Sequence, residues 1–177
     1  MVYLLTYYGV INCLALAVAL ALGYFTDTFF MVHFAAGFLG ALSAVLWIGV
    51  AMFYLIYSGQ AVKRAKEAGL VESKDVAFCH EAKKRLFPWF VAAILLLVTS
   101  PFLGATAHMK TGSAAGHHMV AWMSALVFWI SVYLAQGRIT EHGRMIDEIM
   151  KKVGELRRAK AASQSPSFPG SSGTGEQ

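Results

Sequence analysis

Four of the six histidines lie at or near the ends of apolar stretches of the sequence. They are His33, His108, His117 and His118. An uncharged imidazole nitrogen is a good ligand for haem iron, copper and zinc. Two histidines on facing helices can hold haem b from both sides, and here the pair would be His33 with His108 or His117. The four histidines are therefore the candidate cofactor-binding residues.

Methionines accompany these histidines, and Met31, Met109 and Met119 lie within two residues of one of them along the chain. Thioether and imidazole groups together suit soft and borderline metals, copper above all. The Met-x-x-Met and His-x-His runs that are typical of dedicated copper sites are absent from the sequence. Haem b is therefore the favoured cofactor, and copper bound by these methionines with the histidines is the alternative.

The same residues also have an ordinary structural interpretation. Histidine is common where a membrane meets water, and the small residues that follow His33 on one helical face, Gly37, Gly40 and Ala44, allow close packing of helices in any bundle. The same small face would leave room for the edge of a porphyrin beside its ligand. Whether the histidines bind a cofactor thus depends on the elements that position them.

The composition is that of an integral membrane protein. Of the 177 residues 57% are hydrophobic and only 14% are charged, whereas soluble domains carry about 25% charged residues. Residues 1–62 contain a single charge, Asp27. This segregation excludes a soluble globular enzyme and a disordered protein. It also excludes nucleic-acid binding as the explanation for the pI of about 9.3.

Four stretches are long and apolar enough to cross a bilayer, which takes about 20 helical residues. They cover residues 3–24, 29–57, 87–107 and 117–136. Because lipid offers no hydrogen-bond partners to the backbone, these spans must be helical. The predicted fold is all-α, a membrane four-helix bundle over residues 1–137.

The basic residues predict the orientation of the bundle. Seven Lys and Arg lie in the loop between spans two and three, seven lie after span four, and only Lys110 lies in the two short connections. By the positive-inside rule both termini face the cytoplasm of a bacterial cell, and the bundle lies in its inner membrane. This topology brings the four candidate histidines to the periplasmic face.

Two further segments are predicted outside the lipid. The loop between spans two and three reads as helical turns over residues 60–68 and 74–86, broken at Gly69, and residues 138–160 read as a cytoplasmic amphipathic helix. Its apolar seam is expected to pack on the loop helix or on a second copy of the chain. The seam includes Ile139, Ile146, Ile149, Val153 and Leu156. Residues 161–177, rich in Ser, Gly and Pro, are predicted to be a disordered tail.

Several short motifs resemble those of a group of small bacterial four-span membrane proteins that has no assigned activity. They are the run 52–59 followed by a Lys-rich helix, Lys84-Arg85-Leu86-Phe87-Pro88, the glycines at 104 and 112, the histidine at 117 or 118, and Gly143-Arg144-Met145-Ile146-Asp147-Glu148. The pairing of His33 with Trp47-Ile48-Gly49 is similar to copper-resistance and haem-related small membrane proteins of the CopD type. The first resemblance implies a four-span fold, and neither implies a reaction.

Three functions follow as hypotheses. The first is an electron-transfer subunit with haem b near the periplasmic face, and the second is a purely structural or assembly subunit of a membrane complex. The third is a copper-handling membrane protein. The expected partners are the lipid bilayer, other membrane subunits or a second copy, but no nucleic acid. Nothing in the sequence requires catalysis, so we expect no enzymatic activity from this chain alone.

Overall fold

Four long helices make up the chain. The structure, a computed structural model, describes residues 2–164, with the side chains of residues 26–29, 161, 162 and 164 left out. The helices are α1 (Val2–Leu22), α2 (Thr26–Glu67), α3 (Ser73–His108) and α4 (Ala114–Gln164), and a short 3-10 turn, Gly23–Phe25, joins the first two. Over the described residues the fold is all-helical, and each of the four helices is long and apolar enough to cross a membrane.

Helices α2, α3 and α4 extend beyond the predicted spans and include the segments that were expected to be separate helices. The turns predicted at residues 60–68 and 74–86 are the end of α2 and the beginning of α3, and the amphipathic segment 138–160 is a direct continuation of α4. At the junction in α2 Ser58 stays helical, with its hydroxyl donating to the carbonyl of Tyr54 at 2.7 Å, and α3 runs on through Pro88. At a rise of 1.5 Å per residue α4 is about 76 Å long, more than twice the hydrocarbon thickness of a bilayer.

The bundle therefore has two distinct ends. We call the end with the turns 23–25 and 109–113 the histidine end, and the end built by residues 58–86 and 138–164 the extension end. At the extension end α2 stops at the turn around Gly69, whose φ of +72° favours glycine. Helix α4 continues to residue 164, so only residues 165–177 of the predicted tail lie outside the described residues.

An aromatic cluster occupies the middle of the bundle. The buried indole of Trp47 meets the rings of Phe90 and Phe128 edge to face, with centroids 6.1 and 5.6 Å away, and its Nε1 donates to the carbonyl of Leu5 at 2.7 Å. Helix α1 can come this close because Gly9 has no side chain, since a Cβ there would lie 2.9 Å from the indole. This cluster joins all four helices below the histidine end.

A second, smaller core holds the extension end together. Val62 and Ala65 of α2, Cys79 of α3 and Ile149 of α4 are buried against one another, and Ile146 and Val153 pack beside them. The apolar seam of residues 138–160 thus packs on the extensions of α2 and α3, which is one of the two arrangements expected from the sequence. Leu156, beyond this core, is exposed.

His142 is the unusual member of the extension end. Its side chain is fully buried, and its Nδ1 lies 2.8 Å from the carbonyl of Arg138. Because a carbonyl only accepts, Nδ1 carries the proton and Nε2 holds a lone pair, which is buried without a hydrogen-bond partner among the described residues. An unpaired buried acceptor costs about 1–3 kcal/mol.

The approach of α1 to Trp47 can be tested with two glycine substitutions. Gly9→Ala should lower the thermal unfolding midpoint in detergent by an amount equivalent to about 1–3 kcal/mol, because the added methyl group meets the indole. Gly49→Ala, where a Cβ meets nothing within 4 Å, is the matched control and should leave the midpoint unchanged or raise it. Equal midpoints for the two variants would contradict this packing.

The free-energy cost of burying the unpaired Nε2 of His142 leads to a second prediction. His142→Leu replaces the unpaired imidazole by an apolar side chain, so it should leave the free energy of unfolding unchanged or increase it. Ile139→Ala, which shortens a side chain buried on the same helix, should lower it by about 2–5 kcal/mol. If His142→Leu were as destabilising as Ile139→Ala, Nε2 would have to be satisfied in the folded protein.

Candidate functional site

The four candidate histidines all line one cavity at the histidine end. His33 comes from α2, His108 is the last residue of α3, and His117 and His118 lie in the first two turns of α4. All four helices contribute to the walls of this histidine cavity, whose volume is about 230 Å³. The fold therefore brings together at one place residues that are as far as 85 positions apart in the chain, from 33 to 118.

His33 and His117 form the central pair of the cavity. Their ring centroids are 6.2 Å apart and their planes are inclined by 74°. Two imidazoles that bind one metal ion from opposite sides, with metal–nitrogen bonds of about 2.0–2.1 Å, have centroids roughly 6 Å apart. The distance between the two ring centroids therefore matches the distance for a shared metal ion.

A backbone carbonyl holds each ring of the central pair. The Nδ1 of His33 donates to the carbonyl of Ala19 in α1 at 3.0 Å, and the Nδ1 of His117 donates to the carbonyl of Ser100 in α3 at 3.1 Å. Because carbonyl oxygens only accept, both protons lie on Nδ1 and both Nε2 atoms keep a free lone pair. A metal-binding histidine usually has this arrangement, in which the other ring nitrogen is held by a carbonyl or a carboxylate.

Two glycines make room for these rings. A Cβ at Gly104 would lie 2.9 Å from Cε1 of His117, and a Cβ at Gly23 would lie 3.1 Å from Cε1 of His33. A side chain at either position would push the ring out of its place. At Gly37, which also lines the cavity, a Cβ would meet nothing within 4 Å, so the wall of α2 is open there.

The other two histidines have aromatic partners. The exposed ring of His108 stacks on Phe30 with centroids 3.8 Å apart, and the ring of His118 stacks on Tyr24 at 6.1 Å. His118 also lies close to His117, at 5.5 Å between centroids. Of the two pairings expected from the sequence, His33 with His117 is thus the one that the geometry supports, and His108 lies at the rim.

The methionines do not join this cluster. Met31, Met109 and Met119 are 72%, 63% and 60% exposed, and none of them lines the histidine cavity. The structure therefore does not assemble the mixed Met and His set of the copper hypothesis. Over the described residues there is no cluster of three or more His, Cys, Asp or Glu that could hold a metal ion.

The fit of a haem rests on the central pair and on the walls around it. Apart from the histidines and Ser100 and Ser124, the cavity is lined by apolar side chains and glycines, which suits a porphyrin. Its volume is below the roughly 300–1,000 Å³ of common ligand sites. A group as wide as a porphyrin would therefore extend through the open wall beside Gly37.

The sequence indicated the candidate ligands but not the backbone carbonyls and glycines that position their rings. Gly23 and the carbonyl of Ala19 were missed because nothing in the sequence shows which backbone atom lies opposite His33. In the sequence Gly104 appeared only among the motifs of the resemblance, whereas in the structure its lack of a side chain leaves room for His117.

Comparison of the chain with protein-family models, with curated proteins and with solved structures gives no significant match. Neither of the two resemblances suggested by the sequence therefore gains support from these comparisons, and the site must be judged on its own geometry.

The protonation of the central pair can be measured directly. In the cofactor-free protein labelled with ¹⁵N-histidine, the nitrogen shifts of His33 and His117 should show the proton on Nδ1, because each Nδ1 donates to a carbonyl. Exposed His80, for which the structure shows no such bond, is the internal control and should show the usual mixture of tautomers. A proton on Nε2 of either ring would contradict the geometry described here.

Proposed function

We propose that this chain is a multi-pass protein of the bacterial inner membrane that binds haem b between His33 and His117 and acts as an electron-transfer subunit. The observation that carries the proposal is the pair of free Nε2 atoms on two rings 6.2 Å apart, each held by a carbonyl of a different helix. The proposed orientation of the protein in the membrane follows from the distribution of its basic residues. Fourteen of the fifteen Lys and Arg lie in the extension end, which makes this the cytoplasmic end and the histidine end the periplasmic one.

The two histidines determine the kind of chemistry that the site would support. A haem held by His33 and His117 would supply one-electron transfer rather than chemistry on oxygen or a substrate. In this chain His33 and His117 would hold the group, and the hydrogen bonds to Ala19 and Ser100 would keep both rings in place. The apolar side chains that line the cavity, among them Leu16, Phe34 and Leu97, would keep water away from the group.

The proposal makes the chain a subunit rather than an enzyme. An electron carrier needs a donor and an acceptor, and we propose that these belong to neighbouring membrane subunits. Copper binding is the weaker alternative, because the methionines that would support it lie exposed on the outer surface of the helices. A purely structural or assembly role is what the fold would support in the absence of a cofactor.

Absorption spectroscopy of the purified protein tests the proposal. The full chain, produced in cells with ample haem and purified in mild detergent, should show a Soret band and about one haem per chain, measured as the pyridine complex. His33→Ala and His117→Ala should each abolish haem binding or reduce it at least tenfold, since each removes one axial ligand. His108→Ala is the control at the same end of the bundle and should retain the haem, because its ring stacks on Phe30.

Each contrary result has a definite meaning. A colourless, iron-free preparation would overturn the proposal and favour the structural or assembly role. Loss of haem in His108→Ala with retention in His117→Ala would show that the ligand pair is wrong. Bound copper without haem in the wild-type protein would favour the copper alternative.

A further inference from the structure

A second site lies beside the histidine cavity, in a groove between α1 and α4. We call it the aromatic groove. Its lining has four aromatic side chains, two alanines, and a leucine that also lines the histidine cavity: Tyr24, Phe25, Trp122, Trp129, Ala17, Ala21 and Leu20. Its volume is about 350 Å³, within the roughly 300–1,000 Å³ range of small-molecule sites. The groove exists because two alanines on α1 face two large indoles on α4.

Hydrogen bonds fix the aromatic walls in place. The Nε1 of Trp122 donates to the hydroxyl of Tyr24, and the Nε1 of Trp129 donates to the carbonyl of Cys13, both at 3.2 Å. The two indoles are seven residues apart on one face of α4, which separates them by about 10.5 Å along the helix. The two bonds tie the indoles of α4 to Tyr24 and Cys13, so the aromatic walls are connected before a ligand binds.

One end of the groove is polar and the rest is not. The Tyr24 hydroxyl accepts from Trp122, and among the described residues no acceptor takes the proton of this hydroxyl. It is therefore available to a ligand oxygen at the histidine end. Towards the middle of the bundle the lining consists of Ala17, Ala21, Leu20 and the face of Trp129. A fitting ligand has a flat head with a hydrogen-bond acceptor and an apolar chain.

Charge selects among the ligands of a membrane. Among the described residues no charged side chain lines the aromatic groove, whereas a phospholipid has a charged head that needs charged or strongly polar partners. An isoprenoid quinone is uncharged, has a planar ring with two carbonyl oxygens, and carries a long apolar chain. We propose that the aromatic groove binds the ring of an isoprenoid quinone, with one carbonyl oxygen accepting from Tyr24 and the chain running past Trp129.

The position of the groove would bring a bound quinone close to the proposed haem site. Leu20 lines both the groove and the histidine cavity, and the ring of His118, which lines the cavity, stacks on Tyr24. A quinone ring at Tyr24 would thus lie next to the His33 and His117 pair. This argument from position rests on the proposed haem site, whereas the argument from shape and charge does not.

Tryptophan fluorescence tests the proposal, because quinones quench indoles that they contact. The full chain in lipid nanodiscs is titrated with a short-chain ubiquinone analogue. Saturable quenching is expected, and Tyr24→Phe should raise the Kd about tenfold through loss of one hydrogen bond. Ala21→Leu, which fills the groove, should raise it at least as much. Trp89→Phe, which removes an indole that does not line the groove, should leave the Kd unchanged.

Two results would overturn the proposal. The first is quenching that rises linearly with quinone and is equal in the wild type, Tyr24→Phe and Ala21→Leu, which would show simple partition into the lipid. The second is saturable quenching whose Kd is the same in the wild type, Tyr24→Phe and Ala21→Leu, which would place the bound quinone outside the aromatic groove.

The absorption spectrum and the quinone titration of the wild-type protein together separate this proposal from the haem proposal. Saturable quinone binding without a Soret band in the wild type would leave the quinone site standing and overturn the haem site alone. A Soret band without saturable quenching would leave the haem site standing and overturn the quinone site alone.

Discussion

The hydrogen bonds between imidazole Nδ1 atoms and backbone carbonyls are the interaction on which the histidine end depends. The ring of His33 finds its hydrogen-bond partner on α1, and the ring of His117 finds its partner on α3. Each bond therefore joins two helices and at the same time decides which nitrogen of the ring is free. The free nitrogens belong to two rings that lie side by side in the cavity at the histidine end, and the proposed chemistry follows from that placement.

The rest of the bundle brings the rings of His33 and His117 together by keeping the helices close. Trp47 fills the centre, and the lack of a side chain at Gly9 lets α1 approach it. Small residues play the same part at the histidine end, where Gly23 and Gly104 leave space for the two rings. The structure thus places large aromatic side chains in the middle of the bundle and small residues around the imidazoles. As a result, the middle is filled, with Trp47 fully buried, while a cavity opens at the histidine end.

The two ends of the molecule are built differently for a physical reason. The histidine end has turns of only a few residues, and Lys110 is its only Lys or Arg. At the extension end the same helices continue past the apolar spans, and Val62, Cys79 and Ile149 form a core of their own. An amphipathic helix that continues a span does not need a loop, so the cytoplasmic parts expected as separate helices are parts of α2, α3 and α4.

The sequence by itself determined the class of the fold and the set of candidate ligands. Long apolar stretches without charges can only be helices in lipid, and the histidines at their ends can be counted from the residue types alone. The sequence could not choose between His108 and His117 as the partner of His33, nor separate the methionines from the histidines. Those choices depend on which way each side chain faces on its helix and on how the helices are rotated against one another. Packing around Trp47, Gly23 and Gly104 sets that rotation, and only the tertiary structure contains it.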